Sequence, residues 1–213
     1  MPPRRPNRPS AEHADARTRL LDAALKVVRT KGYSATRVED ICAEAGLSKG
    51  AFFHHFDSKE HLAVEAAGYW SEVTDAFFAA APYRHPADPL DRVFGYIDFR
   101  RRLLVGALPE FTCLVGTMVQ ETYHSHPAIR DACDRSITGH ASDVARDIEL
   151  AKQQYVPDAD WSAESLALHT QAVLQGAFIL AKARNDRRIA EESVDHLRRY
   201  LEMLFNRPSP EHP

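Results

Sequence analysis

Between residues 36 and 59 the apolar positions fall in short helical runs on either side of a glycine. Val38, Ile41, Cys42 and Ala45 recur at i, i+3, i+4 and i+7, one apolar face of a helix. Thr36 and Glu39 stand ahead of it at capping-box spacing. Gly46 follows where the backbone must turn left-handed and a side chain is penalised. Leu47 plugs the turn, Ser48 caps a second short helix through His55, and Asp57 with Glu60 opens a third. Upstream, Leu21, Ala24, Leu25 and Val28 predict a helix ahead of Lys31-Gly32-Tyr33.

The helix opened by Asp57 is predicted to reach about Ala81, and 82–89, PYRHPADP, reads as a loop. Asp88 caps the next helix, with Pro89 in its first position and Leu90, Val93, Phe94, Ile97, Arg101 and Leu104 in a stripe. Gly106 and Pro109 break the chain before a helix through Phe111, Leu114, Val115, Met118 and Val119 to about Tyr123. Pro127 opens a long helix to about Tyr155, with Ile129, Cys133, Ile137, His140, Val144, Ile148 and Ala151 inward. The helix over 162–183 is apolar on nearly all sides at AVLQGAFILA, so it must be buried on more than one face. A last helix aligns Val194, Leu197, Leu201, Leu204 and Phe205. No strand alternation occurs, so the fold class is all-α with about nine helices. The Pro- and Arg-rich residues 1–14 predict a disordered basic tail, whose Arg4, Arg5 and Arg8 could meet phosphates.

Two short helices about a glycine turn, with small and cationic residues opening the second, match a helix-turn-helix. An ordinary helical corner shares that spacing. The run GYSATRVEDICAEAGLSKGAFFHHFDSKEHL, with its preceding helix, resembles the N-terminal domain of TetR-family transcriptional regulators. Caps, turn glycine, aromatic pair and a His-Phe-x-x-Lys ending fall in order over roughly the first third of the chain. The resemblance implies a DNA surface on Arg37, Ser48, Lys49, Gly50, Ala51, Phe53, His54, His55 and Lys59. Lys49 would donate to a guanine edge and Ala51 touch a thymine methyl. His55 and Lys59 would bind phosphate, with Arg37 beside the same backbone. Where the family often has Tyr this chain has Phe53, which keeps the packing and loses a phosphate hydrogen bond. Phe52 and Phe56 read as core.

The resemblance also implies a helix-turn-helix domain over 15–62, a linker helix to about 81, and a helical ligand-binding and dimerisation domain over 63–207. An effector pocket is expected among Phe94, Phe111, Met118, Tyr123, His140, His169 and Phe178, each of which could equally be core. The apolar circumference of helix 162–183 exceeds what one neighbour covers. Val173, Leu174, Ala177, Phe178 and Leu180, with Leu197, Leu201 and Leu204, are therefore expected to pair with a second copy in a four-helix bundle.

Composition changes little in this picture. At 213 residues, 44% hydrophobic and 27% charged, the chain is an ordinary globular protein. Its net charge of −3 hides an asymmetry: residues 1–60 hold eleven Lys/Arg against eight Asp/Glu, a basic front on an acidic rear. No apolar run would span a bilayer and the first residues lack a secretory pattern, so the cytoplasm is expected. Three cysteines without metal spacing predict reduced thiols. His124-x-His126 ahead of Pro127 suits a helix cap better than a metal. Neither a metal nor a cofactor is expected. Cys113 lies in a helix where some oxidant-sensing TetR proteins carry a cysteine; a buried inert thiol is the competing reading. Gly-rich phosphate loops, G-x-S-x-G and H-E-x-x-H are all missing, so the chain is not expected to be an enzyme. The expectation is a homodimeric repressor released from a palindromic DNA operator by a small apolar or amphipathic effector. The alternatives are a cysteine-based oxidant sensor, or a helical enzyme or lipid carrier in which the front corner is structural.

Overall fold

The computed structural model describes residues 11–207, and their order is helical throughout. The elements are α1 (Ala11–Lys31), α2 (Val38–Ala45), α3 (Lys49–His55), α4 (Lys59–Ala79), a single 3-10 turn at Pro82–Arg84, α5 (Pro89–Arg102), α6 (Leu108–Phe111), α7 (Leu114–Thr122), α8 (Pro127–Tyr155), α9 (Ala163–Arg184) and α10 (Arg188–Leu204). The fold class is all-α, as expected. The tenth helix is α6, where the sequence reads as a break. Glu110 closes that short turn by accepting the Ala107 N–H at 3.0 Å. Helix α1 begins at Ala11, inside the stretch expected to be a tail. Arg4, Arg5 and Arg8 lie outside the described residues.

Local signals place the elements, with caps shifted by one residue. The α2 cap is Arg37, whose N–H donates to Asp40 Oδ2 at 2.9 Å. Thr36 is unavailable as a cap because its hydroxyl donates to the Gly32 carbonyl at 2.6 Å, closing the α1–α2 loop. The α4 cap is Ser58 rather than Asp57, its Oγ accepting the His61 N–H at 3.0 Å. Gly46 takes φ 61°, and the Leu47 N–H returns to the Cys42 carbonyl at 2.9 Å. That closes α2 in the left-handed manner only glycine adopts cheaply.

Two apolar cores form. The front core gathers Leu20, Leu21 and Leu25 of α1, Ile41 and Cys42 of α2, Phe52 of α3 and Leu62 of α4. It also takes in Leu114, Val115 and Met118 of α7 with Ile129 and Cys133 of α8. The rear core packs Phe78, Leu90, Val93, Tyr96 and Ile97 against Val144 and Ile148 of α8 and the inner faces of α9 and α10. Helix α8, 29 residues long, serves both cores.

This arrangement corrects the expected dimer surface. Leu174, Ala177, Phe178, Leu197 and Leu201 are each at most 5% exposed within a single chain, and Val173 and Leu204 pack against the same core. The long α8 supplies the second covering layer that the sequence pattern assigned to a partner. Of the side chains expected there Leu180 stays open, together with Leu168 and Ile179 of α9 and Tyr200 and Met203 of α10.

Candidate DNA-contacting helix and effector cavity

Helix α3 is seated by Phe52 and Phe56, which are 0% and 1% exposed in the front core. Ser48 caps it, accepting the Ala51 N–H at 3.2 Å. With Phe52 pinned inward, helical geometry turns Lys49, Gly50, Phe53 and His54 to solvent, with Ser48 and Arg37 beside them. Ala51 and His55 are partly covered. A Cβ added at Gly50 would meet nothing nearer than Ser48 Oγ at 3.6 Å, so packing within the chain does not require glycine there. Lys49 forms an ion pair with Glu39 of α2, and that hydrogen bond holds the Glu39 carboxyl below its usual range.

Lys59 has partners within the chain. Its Nζ donates to the carbonyls of Tyr33 and Thr36, both at 3.0 Å, and lies 4.2 Å from the Tyr33 ring centroid. Burial pushes its pKa down. Two of its three donors tie the start of α4 to the α1–α2 loop, so it positions the DNA-contacting unit. Sequence spacing could not reveal this, because the carbonyls belong to a loop more than twenty residues upstream.

Behind the front core an apolar cavity of about 320 Å³ opens between α4, α5, α7, α8 and α9. Trp70, Val73, Phe77 and Phe78 line it from α4, Arg100 from α5 with Leu103 just after it, Glu110 from α6 and Val115 from α7. His140 and Ser136 enter from α8, Gln171 and Phe178 from α9, and Phe111 and Cys113 border it. Of the expected pocket residues, Phe111, His140 and Phe178 are brought together here. Four others lie elsewhere. Phe94 is buried near Phe205, with the Arg198 guanidinium 3.9 Å from its ring centroid. Met118 is 0% exposed in the front core, Tyr123 is 63% exposed at the end of α7, and His169 stands on the surface against Tyr200. Periodicity shows that a face is buried but not what it is buried against. The missed residues carried weak signals: Trp70, Val73 and Phe77 repeat at i, i+3 and i+7 on one side of α4, and Gln171 is a polar residue in an apolar helix.

The polar wall of the cavity is organised. Gln171 donates to the Tyr96 hydroxyl at 3.2 Å, and that hydroxyl lies 2.9 Å from His140 Nε2. Burial first, and the positive Arg100 second, push the His140 pKa down to about 4. The imidazole is therefore neutral at pH 7, with Nε2 accepting from Tyr96. Cys113 caps α7, its sulfur accepting the Gly116 N–H at 3.4 Å, and is half-buried rather than sealed in the core. Cys133 is fully buried, and burial pushes its thiol up to about 12. No group of three or more metal-ligating side chains gathers among the described residues. His126 takes the N-cap position of α8, but its side chain makes no capping hydrogen bond; its Nδ1 lies 2.8 Å from Ser125 Oγ.

Several contacts join the cavity helices to the helix-turn-helix. Glu121 of α7 accepts the N–H groups of Tyr33 and Ser34 at 3.2 and 2.7 Å. Arg29 of α1 lies over Trp70, 5.2 Å from the ring centroid, and donates to the Glu110 carbonyl at 3.2 Å. These links border a second, open groove of about 780 Å³ between α1, α6, α7 and α9.

No described helix is long and apolar enough to cross a membrane. Residues 20–66 match the family model for bacterial regulatory proteins of the tetR family, and residues 89–194 match that for the C-terminal domain of LmrA/YxaF-like transcriptional regulators. The chain is 24% identical over 179 residues to the HTH-type transcriptional regulator YxaF of Bacillus subtilis (strain 168), covering 81% of this chain and 88% of that one. It is 38% identical to YerO of the same organism over 56 residues, only 26% of this chain and 19% of that protein. A putative transcriptional regulator from Saccharomonospora viridis, solved in complex with choline, superposes with a TM-score of 0.71 at 25% identity, covering 91% of this chain and 96% of that one. With the front and rear of the chain each matched, and the recognition helix and helical rear arranged as described, the enzyme and lipid-carrier readings fall away: the chain belongs to the TetR family of transcriptional regulators.

Proposed function

We propose that this protein is a homodimeric cytoplasmic repressor, whose paired α3 helices read a palindromic operator and whose small-molecule effector binds the α4–α9 cavity and releases the DNA. The observation that carries this reading is that the cavity and the seat of α3 share helices. Helix α4 contributes Leu62 to the front core and Trp70 and Phe77 to the cavity. Helix α7 contributes Leu114 and Met118 to the core, and its Val115 belongs to both. A ligand that shifts either helix shifts α3. Effector and operator then oppose each other through a coupling free energy, typically about 1–3 kcal/mol. The choline bound by the Saccharomonospora regulator supports a small-molecule site in this fold.

On the DNA side, Lys49, Gly50, Ala51 and Phe53 would face bases. Ser48, His54, His55 and Arg37 would meet the backbone, with Lys59 holding the unit in place. A glycine that internal packing does not require suits close approach to a base edge. The Lys49–Glu39 pair must open for this, and water and salt screen an exposed pair of this kind so that it separates at little cost. The open apolar strip of Leu168, Ile179 and Leu180 with Met203 supports pairing of α9 and α10 with a second copy. Two half-sites need two α3 helices at about one DNA turn. Footprinting on the DNA that flanks the gene tests the reading. The expected result is two protected half-sites bound by a dimer. Absence of a footprint, or a sedimenting mass near 23.9 kDa at micromolar concentration, would refute it.

A further inference from the structure

Resting on the effector-cavity reading, we infer that the cavity selects a compact aromatic ligand carrying one anionic group, a carboxylate or equivalent oxyanion, bound by Arg100. Arg100 lines the cavity and is only partly exposed, yet it has no carboxylate or carbonyl partner among the described residues. Its neighbours are different. Arg101 pairs with Glu191 and Asp195, Arg84 and Arg92 both pair with Asp147, and Arg198 pairs with Asp98 and Glu202. Glu110 also lines the cavity, but it is exposed at the mouth, where one carboxylate oxygen accepts the Ala107 N–H, and Asp143 pairs with Arg146. A guanidinium presents planar paired donors, and an oxyanion inside an apolar wall is the group that satisfies them best.

The rest of the wall fits the same ligand. Trp70, Phe77 and Phe111 offer aromatic surface for a ring. Ser136 adds a polar point on the α8 wall, its hydroxyl 2.8 Å from that of Ser71. His140 adds no competing positive charge, since it is neutral and its Nε2 accepts from Tyr96. A quaternary ammonium ligand would need bare ring faces. Here the Arg100 guanidinium already stands 5.3 and 6.0 Å from the ring centroids of Phe78 and Phe178. A cation on those two rings would have to displace it, and on Phe77 or Phe111 it would still share the cavity with the fixed positive charge of Arg100. The wall therefore discriminates against the cation and for the anion.

Three probes of one shape test this: 2-naphthoate, 2-naphthamide and 2-naphthyltrimethylammonium. Binding is read by calorimetry and by quenching of Trp70, one of two tryptophans in the chain, with Trp70→Phe as the control for assignment. The expected result is that wild type binds 2-naphthoate about 10-fold or more tighter than either other probe. Arg100→Gln should lose that preference while its affinity for the amide stays within about threefold, and Arg100→Lys should fall between. If Arg100→Gln does not fold, the charge series on wild type still decides. Equal binding of the three probes, or preference for the cation, overturns the anion inference and leaves the effector cavity standing. Failure of all three to bind at millimolar concentration overturns the cavity reading itself.

Discussion

Replacing His140 with glutamine tests the burial of the cavity wall through its proton linkage. Burial and the nearby Arg100 lower the His140 pKa from 6.5 to about 4. Below pH 6.5 the unfolded chain takes up a proton that the native imidazole refuses until about pH 4, so protonation favours unfolding across that window. The stability that depends on a neutral His140 is complete above about 6.5, falls as pH drops, and is gone near 4. At about 1.36 kcal/mol per pKa unit the whole span is worth about 3 kcal/mol, of which about 2 kcal/mol is lost by pH 5. For a chain of this length that is a fall in Tm of roughly 4–8 °C. The hydrogen-bond chain gives the mechanism. Gln171 donates to Tyr96, whose hydroxyl lies on His140 Nε2; an imidazolium would turn that acceptor into a donor and leave the Tyr96 hydrogen unplaced. His140→Gln keeps an acceptor for Tyr96 without titrating. Urea unfolding at pH 7 and pH 5 should therefore show wild type losing about 2 kcal/mol more than the variant over this interval. Parallel losses would show that His140 is solvated, and the account of the cavity wall would be wrong.

Leu180→Arg, at a position 55% exposed, should split the dimer in sedimentation without lowering the monomer's helical content, whereas Ala177→Arg, at 2% exposed, should unfold the chain; a dimeric Leu180→Arg protein would move the interface elsewhere. Lys49→Ala should leave stability nearly unchanged and relax base preference by about 1–3 kcal/mol at one position per half-site in a competition assay. Lys59→Met strips two carbonyls of their donor and should destabilise the protein by about 1–3 kcal/mol while weakening all operator variants alike. A wild-type melt combined with altered base preference in Lys59→Met would reverse that assignment. Glu121→Ala should accelerate amide exchange at Tyr33 and Ser34, whose N–H groups it accepts, and unchanged exchange there would mean the link does not hold in solution.

What the sequence made legible is local chemistry. Gly46, Ser48 and the Phe52–Phe56 pair mark a turn, a cap and a buried face, each settled within a few residues, and all three stand as expected. Errors began where a side chain had a distant partner. Thr36 looked like a cap because its use in closing on the Gly32 carbonyl depends on how α1 ends. Spacing also hides that Lys59 is held by two carbonyls of another loop. The pattern marks α9 as apolar all round, but it does not say that α8 and α10 cover Leu174 and Ala177 from within the chain while Leu168, Ile179 and Leu180 stay open. The cavity suffered most. A pocket is a place where packing is incomplete, and hydrophobic periodicity is the same for a residue beside a void as for one beside a neighbour.

The two cores meet where a ligand would act, and this sets the size of the switch. Val115 is 1% exposed, on the wall of the cavity and in the front core, and Trp70 on the opposite wall carries Arg29 of α1 above its ring. Interiors at close-packed density transmit displacement rather than absorb it, so a ligand that pushes either residue shifts α7 or α1 as a body. The ligand contributes only its differential affinity for the two arrangements, whatever its total affinity. The polar contacts available for breaking between the helix-turn-helix and the cavity helices are few: Glu121 to two amides and Arg29 to one carbonyl and one ring. At about 1 kcal/mol net for each hydrogen bond, they support a coupling of roughly 2–3 kcal/mol. That lowers operator affinity by about 30- to 150-fold, well short of the ~10⁴-fold needed to carry a 99:1 equilibrium to 1:99. Such a protein switches a gene only when its free concentration lies between the two operator Kd values. Titrating operator occupancy against protein with and without ligand should therefore give two parallel curves about 1.5 to 2 decades apart. A larger separation would mean that the dimer interface contributes to the coupling as well as these contacts.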